Sequence, residues 1–332
     1  MNVKSRARIG AVVVGAAALG VGVMTAPASA DPAAGDYRVL AGVGSDTTQD
    51  VVNGLGAAID NGTLIASYNA TPPAGGTTTI KTRATGCEIA RPNGSSAGID
   101  ALRNAVDNNT GCLDFARSSR GVADTSTTDL TWIPYAKDAV TYAVRSNSGL
   151  PRTLTLAQLT RVYKCELRTI NGITVTPLLP QAGSGTRSFW LSTIGVTEAE
   201  IANGAGNGKC VDDTVQEHNG EALDSVGDIA PYSVAQYIAQ GNKLADVPDR
   251  RGAAVLAPLS SQPPVIDNKL NPAFPVQRDV YNVVPTAKLT NATISTTFVG
   301  SGSKVCAQTG AITTYGFGTN SSCGSTTLKG ER

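Results

Sequence analysis

Residues 173–194 read ITVTPLLPQAGSGTRSFWLSTI. The first part alternates and is rich in β-branched residues, as a strand is. The last part, from Arg187 to Ile194, sets bulky apolar side chains on one face and predicts a helix. Gly183-Ser184-Gly185-Thr186 joins the two. Two glycines let the backbone turn sharply and approach a ligand closely. The hydroxyls of Ser184 and Thr186 stand where the helix begins. A helix N-terminus presents unpaired N–H groups and the positive end of the dipole, which makes it a ready anion site. Arg187 adds a full positive charge. The same residues also describe an ordinary strand-to-helix turn capped by a serine, so the rest of the chain must decide.

Upstream, residues 37–43 (YRVLAGV) read as a strand, followed by Gly44-Ser45-Asp46-Thr47-Thr48 and then an amphipathic helix over Gln49–Ile59 with Val51, Val52, Leu55, Ala58 and Ile59 on one side. Asp46 reads either as a helix cap or as a carboxylate beside a bound anion, a place that requires a protonated partner. Gly94-Ser95-Ser96-Ala97-Gly98 precedes a third helical pattern, Ile99, Leu102, Ala105 and Val106. Hydroxyl-bearing helix starts thus recur at 45–48, 95–96 and 184–186. Three of them, in a chain without a metal-ligand cluster, point to a tetrahedral oxyanion held by several helix N-termini. Leu113 to Arg120 reads as a short buried strand ending in a polar turn. The two arginines and two serines there, Arg117, Ser118, Ser119 and Arg120, are candidates to face a ligand, with a solvated turn as the other reading, above all for Arg120.

The first thirty residues have the form of a cleavable secretory signal. Lys4, Arg6 and Arg8 precede an apolar run from Ile9 to about Met24, and Ala28-Ser29-Ala30 fits the small-residue cleavage rule, so the mature chain is expected to begin at Asp31. The signal contains no cysteine for lipid attachment, and no later stretch is long and apolar enough to span a bilayer. Removal of the signal leaves 24 basic against 26 acidic side chains, a formal balance of −2, which argues against nucleic acid as the main partner. The six cysteines, Cys87, Cys112, Cys165, Cys210, Cys306 and Cys323, all lie in the secreted part, where disulfides are the default. Among about 15 connectivities, the sequential pairing 87–112, 165–210 and 306–323 closes the shortest loops. A metal site is the weaker reading, because no two cysteines are closely spaced and His218 is the sole histidine.

Trp132 to Arg145 ends in a strand over Ala139–Val144. Leu154 to Leu167 predicts a helix, with Thr155 and Gln158 as its capping box. Thr197 to Ala202 reads as a short helix, Ile229 to Tyr237 as a turn with another helix start, and Phe274 to Val284 as a strand-like run. The Ser/Thr/Gly-rich tail from Thr290 reads as a small β-rich flap closed by the 306–323 bridge. Alternating strands and helices predict an α/β protein with mainly parallel sheets.

In order, these stretches resemble the extracytoplasmic phosphate-binding proteins of ABC transporters, the PstS-like substrate-binding proteins. Ala136-Lys137-Asp138-Ala139-Val140 resembles the first hinge strand, Leu154 to Leu159 the helix after it, and Gly183-Ser184-Gly185-Thr186 the phosphate loop. Asn219-Gly220 and Ile229 to Tyr232 stand near the closing lobe, and Phe274-Pro275 through Tyr281 resembles the return hinge. The resemblance covers roughly Tyr37 to Val284. It implies a two-lobed α/β fold of the periplasmic-binding-protein kind, with hinge strands and a ligand cleft between the lobes. The corresponding division is a signal at 1–30, the first lobe at 31–145, the second at 146–275, and a return strand with a disulfide-closed tail at 276–332. It further implies phosphate held by Ser45 to Thr47, by Ser95 with Ser96 beside it, and by Ser184, Gly185 and Thr186.

Three positions depart from the family. Ser119 stands where the family usually has an aspartate that accepts the proton of the phosphate. Pro180 and Ala182 stand where it usually has an arginine and an aspartate. Arg117 and Arg187 are the candidate replacements for the arginine, and Asp46 for the acceptor. The expectation is a secreted, non-catalytic and monomeric protein, periplasmic in a cell with an outer membrane. It binds inorganic phosphate or a related oxyanion, without a cofactor, and serves an ABC permease. The alternatives are a secreted binding or adhesion module of the same fold without tight phosphate binding and, less favoured, a serine hydrolase. For the last, Gly94-Ser95-Ser96-Ala97-Gly98 matches G-x-S-x-G, with His218 later in the chain as its base, although Arg91-Pro92-Asn93 is not the buried strand that a nucleophile elbow needs. His218 itself is expected at the surface or the cleft edge.

Overall fold

The computed structural model describes residues 31–73 and 75–332; the expected signal segment lies outside them. An 11-stranded sheet forms the frame. Its main strands are β1 (Leu40–Gly44), β2 (Ile65–Ser67), β3 (Phe115–Ser118), β4 (Leu130–Arg145), β5 (Thr176–Pro180), β6 (Asp212–Val215), β7 (Asp228–Ser233) and β8 (Gln277–Pro285). They run in the order β6-β5-β7-β4-β8-β3-β1-β2. The outer parts are parallel, β1 with β2 and β3, and β5 with β6 and β7. The middle is antiparallel: β4 pairs that way with both β7 and β8, and β8 with β3. The sheet is therefore mixed where a mainly parallel one was expected. The reason lies in β4, which runs 16 residues and crosses from one lobe to the other, with β8 returning beside it. Its register against β8 shifts at Tyr135, next to Pro134, a residue with no N–H to give the ladder.

Apolar cores flank this crossing. One lobe buries Leu159, Tyr163, Leu179, Trp190 and Ile229 around β5, β7, α3 (Leu156–Tyr163) and α4 (Gly185–Ile194). The other holds two separate clusters, one with Leu55 and Phe115 beside α1 (Gln49–Ala58) and one with Val43, Ile99 and Trp132 beside α2 (Ser95–Asp107). The expected capping box on α3 is formed by Thr155 and Gln158. On α2 the stripe is Ile99, Leu102 and Ala105, while Val106 is exposed.

Two expectations about elements are corrected. Ile229 to Ser233 lies in strand β7, and the helix (Val234–Gly241) starts only after it; Pro231 and the short apolar run disguise a strand buried on both faces. The tail is not a β-rich flap: its longest regular elements are two short helices. It forms Ala292–Phe298 and Thr309–Thr314, plus two-residue strands at Gly318–Thr319 and Lys329–Gly330 that join β4. Ile294, Phe298, Val305, Ile312 and Phe317 sink into the first lobe's core, where the rings of Phe298 and Phe115 lie 5.3 Å apart. The threonines that suggested strands bond back to their own helices, Thr297 Oγ1 to the Thr293 carbonyl and Thr313 Oγ1 to that of Thr309. The three bridges are 87–112, 165–210 and 306–323, the sequential pairing that loop length favours.

Candidate functional site

The three hydroxyl-bearing turns meet where the lobes face each other. Ser45 leads from β1 toward α1, Ser95 opens α2, and Ser184 to Thr186 open α4. The cluster is built around Ser119, at the end of β3. Its Oγ accepts from Ser45 Oγ at 3.1 Å and lies 3.3 Å from Ser95 Oγ, while its N–H donates to Ser95 Oγ at 3.0 Å. Thr47 Oγ1 and Thr186 Oγ1, from opposite lobes, are 3.1 Å apart. Gly185 packs directly on the hydroxyls of Ser95 and Ser119, and a Cβ there would collide with both. Gly94 is needed for another reason: its φ is +102°, and a Cβ would strike the Gly183 carbonyl of the other lobe. That carbonyl accepts from Ser96 N at 3.1 Å, so the turn of α4 closes the N-terminus of α2 directly. The site is shut, and Ser45, Thr47, Ser95, Ser119, Ser184 and Thr186 are all buried.

The charged residues distribute differently from the expectation. Arg187 turns away from the cluster. Its guanidinium pairs with Glu198 (Nε–Oε1 3.0 Å) and Asp213 (Nη1–Oδ2 3.2 Å) and donates to the Pro180 carbonyl, because the first turn of α4 points this side chain at its own lobe. Ser184 Oγ caps that helix by accepting from Arg187 N at 3.0 Å. Arg117 is buried behind the first loop. It donates to the carbonyls of Gly44 and Ser45 and to Ser67 Oγ, and burial pushes its guanidinium down to about 10. Arg120 holds Ser96 Oγ through Nε at 3.2 Å and Nη2 at 3.1 Å.

The arginine that does reach the cluster is Arg278 of β8, which sequence reasoning missed. Its Nη2 donates to Thr186 Oγ1 at 2.9 Å and its Nη1 to the Ser119 carbonyl at 3.0 Å. A buried ion pair with Asp138 of β4 fixes it, Nη2–Oδ2 2.7 Å. Asp138 also accepts from Ser233 Oγ and from Ala235 N at the start of the next helix, where the dipole favours a carboxylate. Both partners sit on the crossing strands, so the pair lies at the hinge. A charged residue in phase with buried Val280 on an alternating strand was the available signal.

A second missed residue is Glu217. It is fully buried, and its Oε2 accepts from Thr47 Oγ1 and, at 2.9 Å, from Thr186 Oγ1. Its neighbour His218 is corrected from a surface to a buried position, 2% exposed. His218 Nε2 lies 3.5 Å from Asp46 Oδ2. Burial, then the Arg250 and Arg278 charges, lower its pKa well below the usual imidazole value, so the ring is neutral. Asp46 caps no helix: α1 starts three residues later behind Thr48, which makes no side-chain cap bond. Burial first, then the Glu217 charge, push the Asp46 carboxyl up to about 7. Among the described residues no hydrogen bond joins Ser96 to His218. Ser96 faces a cation and His218 faces Asp46, so the hydrolase arrangement is not assembled. No group of metal-ligating side chains occurs among the described residues, and none of their helices is long and apolar enough to cross a membrane.

No protein-family model and no curated protein sequence matches this chain. Solved structures do. A phosphate ABC transporter substrate-binding protein with bound phosphate from Clostridium perfringens is 16% identical, at a TM-score of 0.54 over 85% of this chain and 99% of that one. An ABC-type phosphate transport receptor from Vibrio cholerae gives the same identity and TM-score over 85% and 100%. The two-lobed, periplasmic-binding-protein-like α/β fold expected from the sequence is therefore present.

Proposed function

We propose that this protein is a secreted, non-catalytic binding protein that captures inorganic phosphate, or a close tetrahedral oxyanion, between its lobes for ABC-type uptake. One observation carries the reading. Three serine- or threonine-bearing helix starts from both lobes meet at one buried point, and the Arg278 guanidinium reaches the same point. Hydroxyls, helix N-termini and one arginine are the donors that a tetrahedral oxyanion requires. The fold shared with phosphate-binding proteins supports the same reading.

On this reading the lobes at 31–145 and 146–275 part about the crossing strands, and residues 276–332 return to the first. The anion enters and takes hydrogen bonds from Ser45, Thr47, Ser95, Ser119 and Thr186, with the Gly185 backbone free to approach and Arg278 balancing charge. The lobes then close around it. Ser184 acts through its helix cap, Ser96 and Arg120 brace the rim, and Arg117 supports the first loop from behind. Asp46 is the carboxylate placed to accept a proton from a protonated anion. The mature chain begins at Asp31, works as a monomer outside the cytoplasm and delivers its ligand to a permease.

A module of the same fold without tight phosphate binding is the second reading, favoured by the carboxylate of Glu217 lying against the candidate ligand hydroxyls. Titration calorimetry on ligand-stripped mature protein decides. Tight phosphate binding is expected. Binding of neither phosphate nor sulfate by folded protein would refute the transport reading and leave the module.

A further inference from the structure

Glu217 is a buried acid in the cleft whose contacts join the lobes. Thr47 belongs to the start of α1 in one lobe and Thr186 to the first turn of α4 in the other, and both give their hydroxyls to the same oxygen, Oε2. Oε1 has no hydrogen-bond partner. The guanidinium of Arg278 touches Thr186 Oγ1, so positive charge reaches the carboxylate through a hydroxyl. The segment that presents Glu217 is strained: His218 has φ +40°, in the left-handed region that non-glycine residues avoid. Its carbonyl is pinned there by Tyr232 Oη at 2.7 Å and Gln240 Nε2 at 3.0 Å. Strain of this kind persists only where the surroundings enforce it, and here its effect is to aim the preceding side chain into the cleft.

We infer that Glu217 is a resident anion: its carboxylate occupies the oxyanion's place at Thr47 and Thr186, latches the lobes shut without ligand, and must be displaced before an external oxyanion binds. The inference rests on the oxyanion reading for what is displaced, and on the cross-lobe contacts alone for the latch. An anion arriving beside an unmoved Glu217 would meet a like charge in a buried site, an arrangement strongly disfavoured. Displacement swings the carboxylate out and hands both threonine hydroxyls to the ligand. A latched population lowers apparent affinity by the fraction of molecules that are competent to bind.

The test compares wild type with Glu217→Gln, which keeps the shape and removes the charge, and with Glu217→Ala, which removes the latch. Folding of each is checked by circular dichroism. Phosphate titrations are expected to show both variants binding roughly tenfold tighter, as release of a latch that holds about nine molecules in ten gives. Small-angle scattering of ligand-free Glu217→Ala is expected to show a larger radius of gyration than wild type. Equal or weaker phosphate binding by the folded variants overturns the inference and leaves the phosphate reading standing. If no protein in the series binds phosphate or sulfate, the phosphate reading fails and scattering alone judges the latch: expansion supports it, and an unchanged radius overturns it.

Discussion

Replacing Asp46 by asparagine should make the protein more stable at neutral pH, by an amount that grows with pH. The Asp46 side chain is 1% exposed, Oδ1 has no partner, and Oδ2 faces a neutral imidazole at 3.5 Å. Burial and the Glu217 charge raise its pKa from 3.8 to about 7. A group raised in the folded state carries no penalty below its unfolded pKa, where it is protonated in both states. The penalty builds as pH rises from about 4 and is complete near pH 7. A shift of about three units corresponds to roughly 4 kcal/mol at most, and relaxation around the buried charge brings the expected effect to about 2–4 kcal/mol. Asp46→Asn keeps the shape and removes the titration. His218 acts with the opposite sign: its lowered pKa makes the folded state lose stability as pH falls through the ordinary imidazole value. It is present in both proteins and cancels in the difference. Urea unfolding of both at about pH 4.5, 6 and 7.5 reads that difference directly. It should be smallest at the acid end, about a quarter of its full size because that pH already lies above the unfolded value of 3.8, and favour the variant by about 2–4 kcal/mol at the alkaline end. A difference that stays flat across the range, or a variant less stable at the alkaline end, would refute the argument that burial traps an unpaired carboxyl.

Other substitutions separate structural from ligand-facing roles. Arg187→Ala should cost about 1–2 kcal/mol of stability by thermal unfolding, between the limits for exposed and buried ion pairs, and leave phosphate affinity within about threefold, since its partners are Glu198 and Asp213. Arg278→Gln should weaken phosphate binding by about 10- to 100-fold in calorimetry, the worth of a hydrogen bond to a charged group. Gly185→Ala should prevent full closure, because its Cβ would overlap the Ser95 and Ser119 hydroxyls; scattering from the ligand-free protein should show a larger radius. The paired change Cys165→Ser with Cys210→Ser opens a loop of 45 residues and should lower unfolding free energy by about 4 kcal/mol in the chain-entropy account.

Much of the frame was legible because it is local. A glycine followed by a hydroxyl residue and then an apolar helical pattern marks a helix start wherever it occurs, and Ser45, Ser95 and Ser184 were found this way. The capping box of Thr155 and Gln158 and the short-loop pairing of the cysteines are likewise properties of neighbouring residues. The strand Asp228–Ser233 was misread because it is buried along its whole length, and burial on both faces erases the alternation that distinguishes strand from helix. Threonine composition likewise hid helices whose hydroxyls bond back to the backbone.

The chemistry of the cleft divides along the same line. Sequence alone determined which turns could offer hydroxyls and helix N-termini to an anion, since residue type and spacing within a few positions set that geometry. Only the tertiary structure decided where the charges go. A strand's period fixes the face on which Arg278 lies, but the crossing of β4 and β8 supplies Asp138 as its partner and Thr186 as its target. Arg187, next to the hydroxyls in sequence, is carried to the far side by the first turn of its helix, whereas Glu217, some thirty residues from Thr186, is folded against it. A long side chain's charge ends about 6 Å or more from its backbone, so its neighbours are set by packing and not by sequence adjacency.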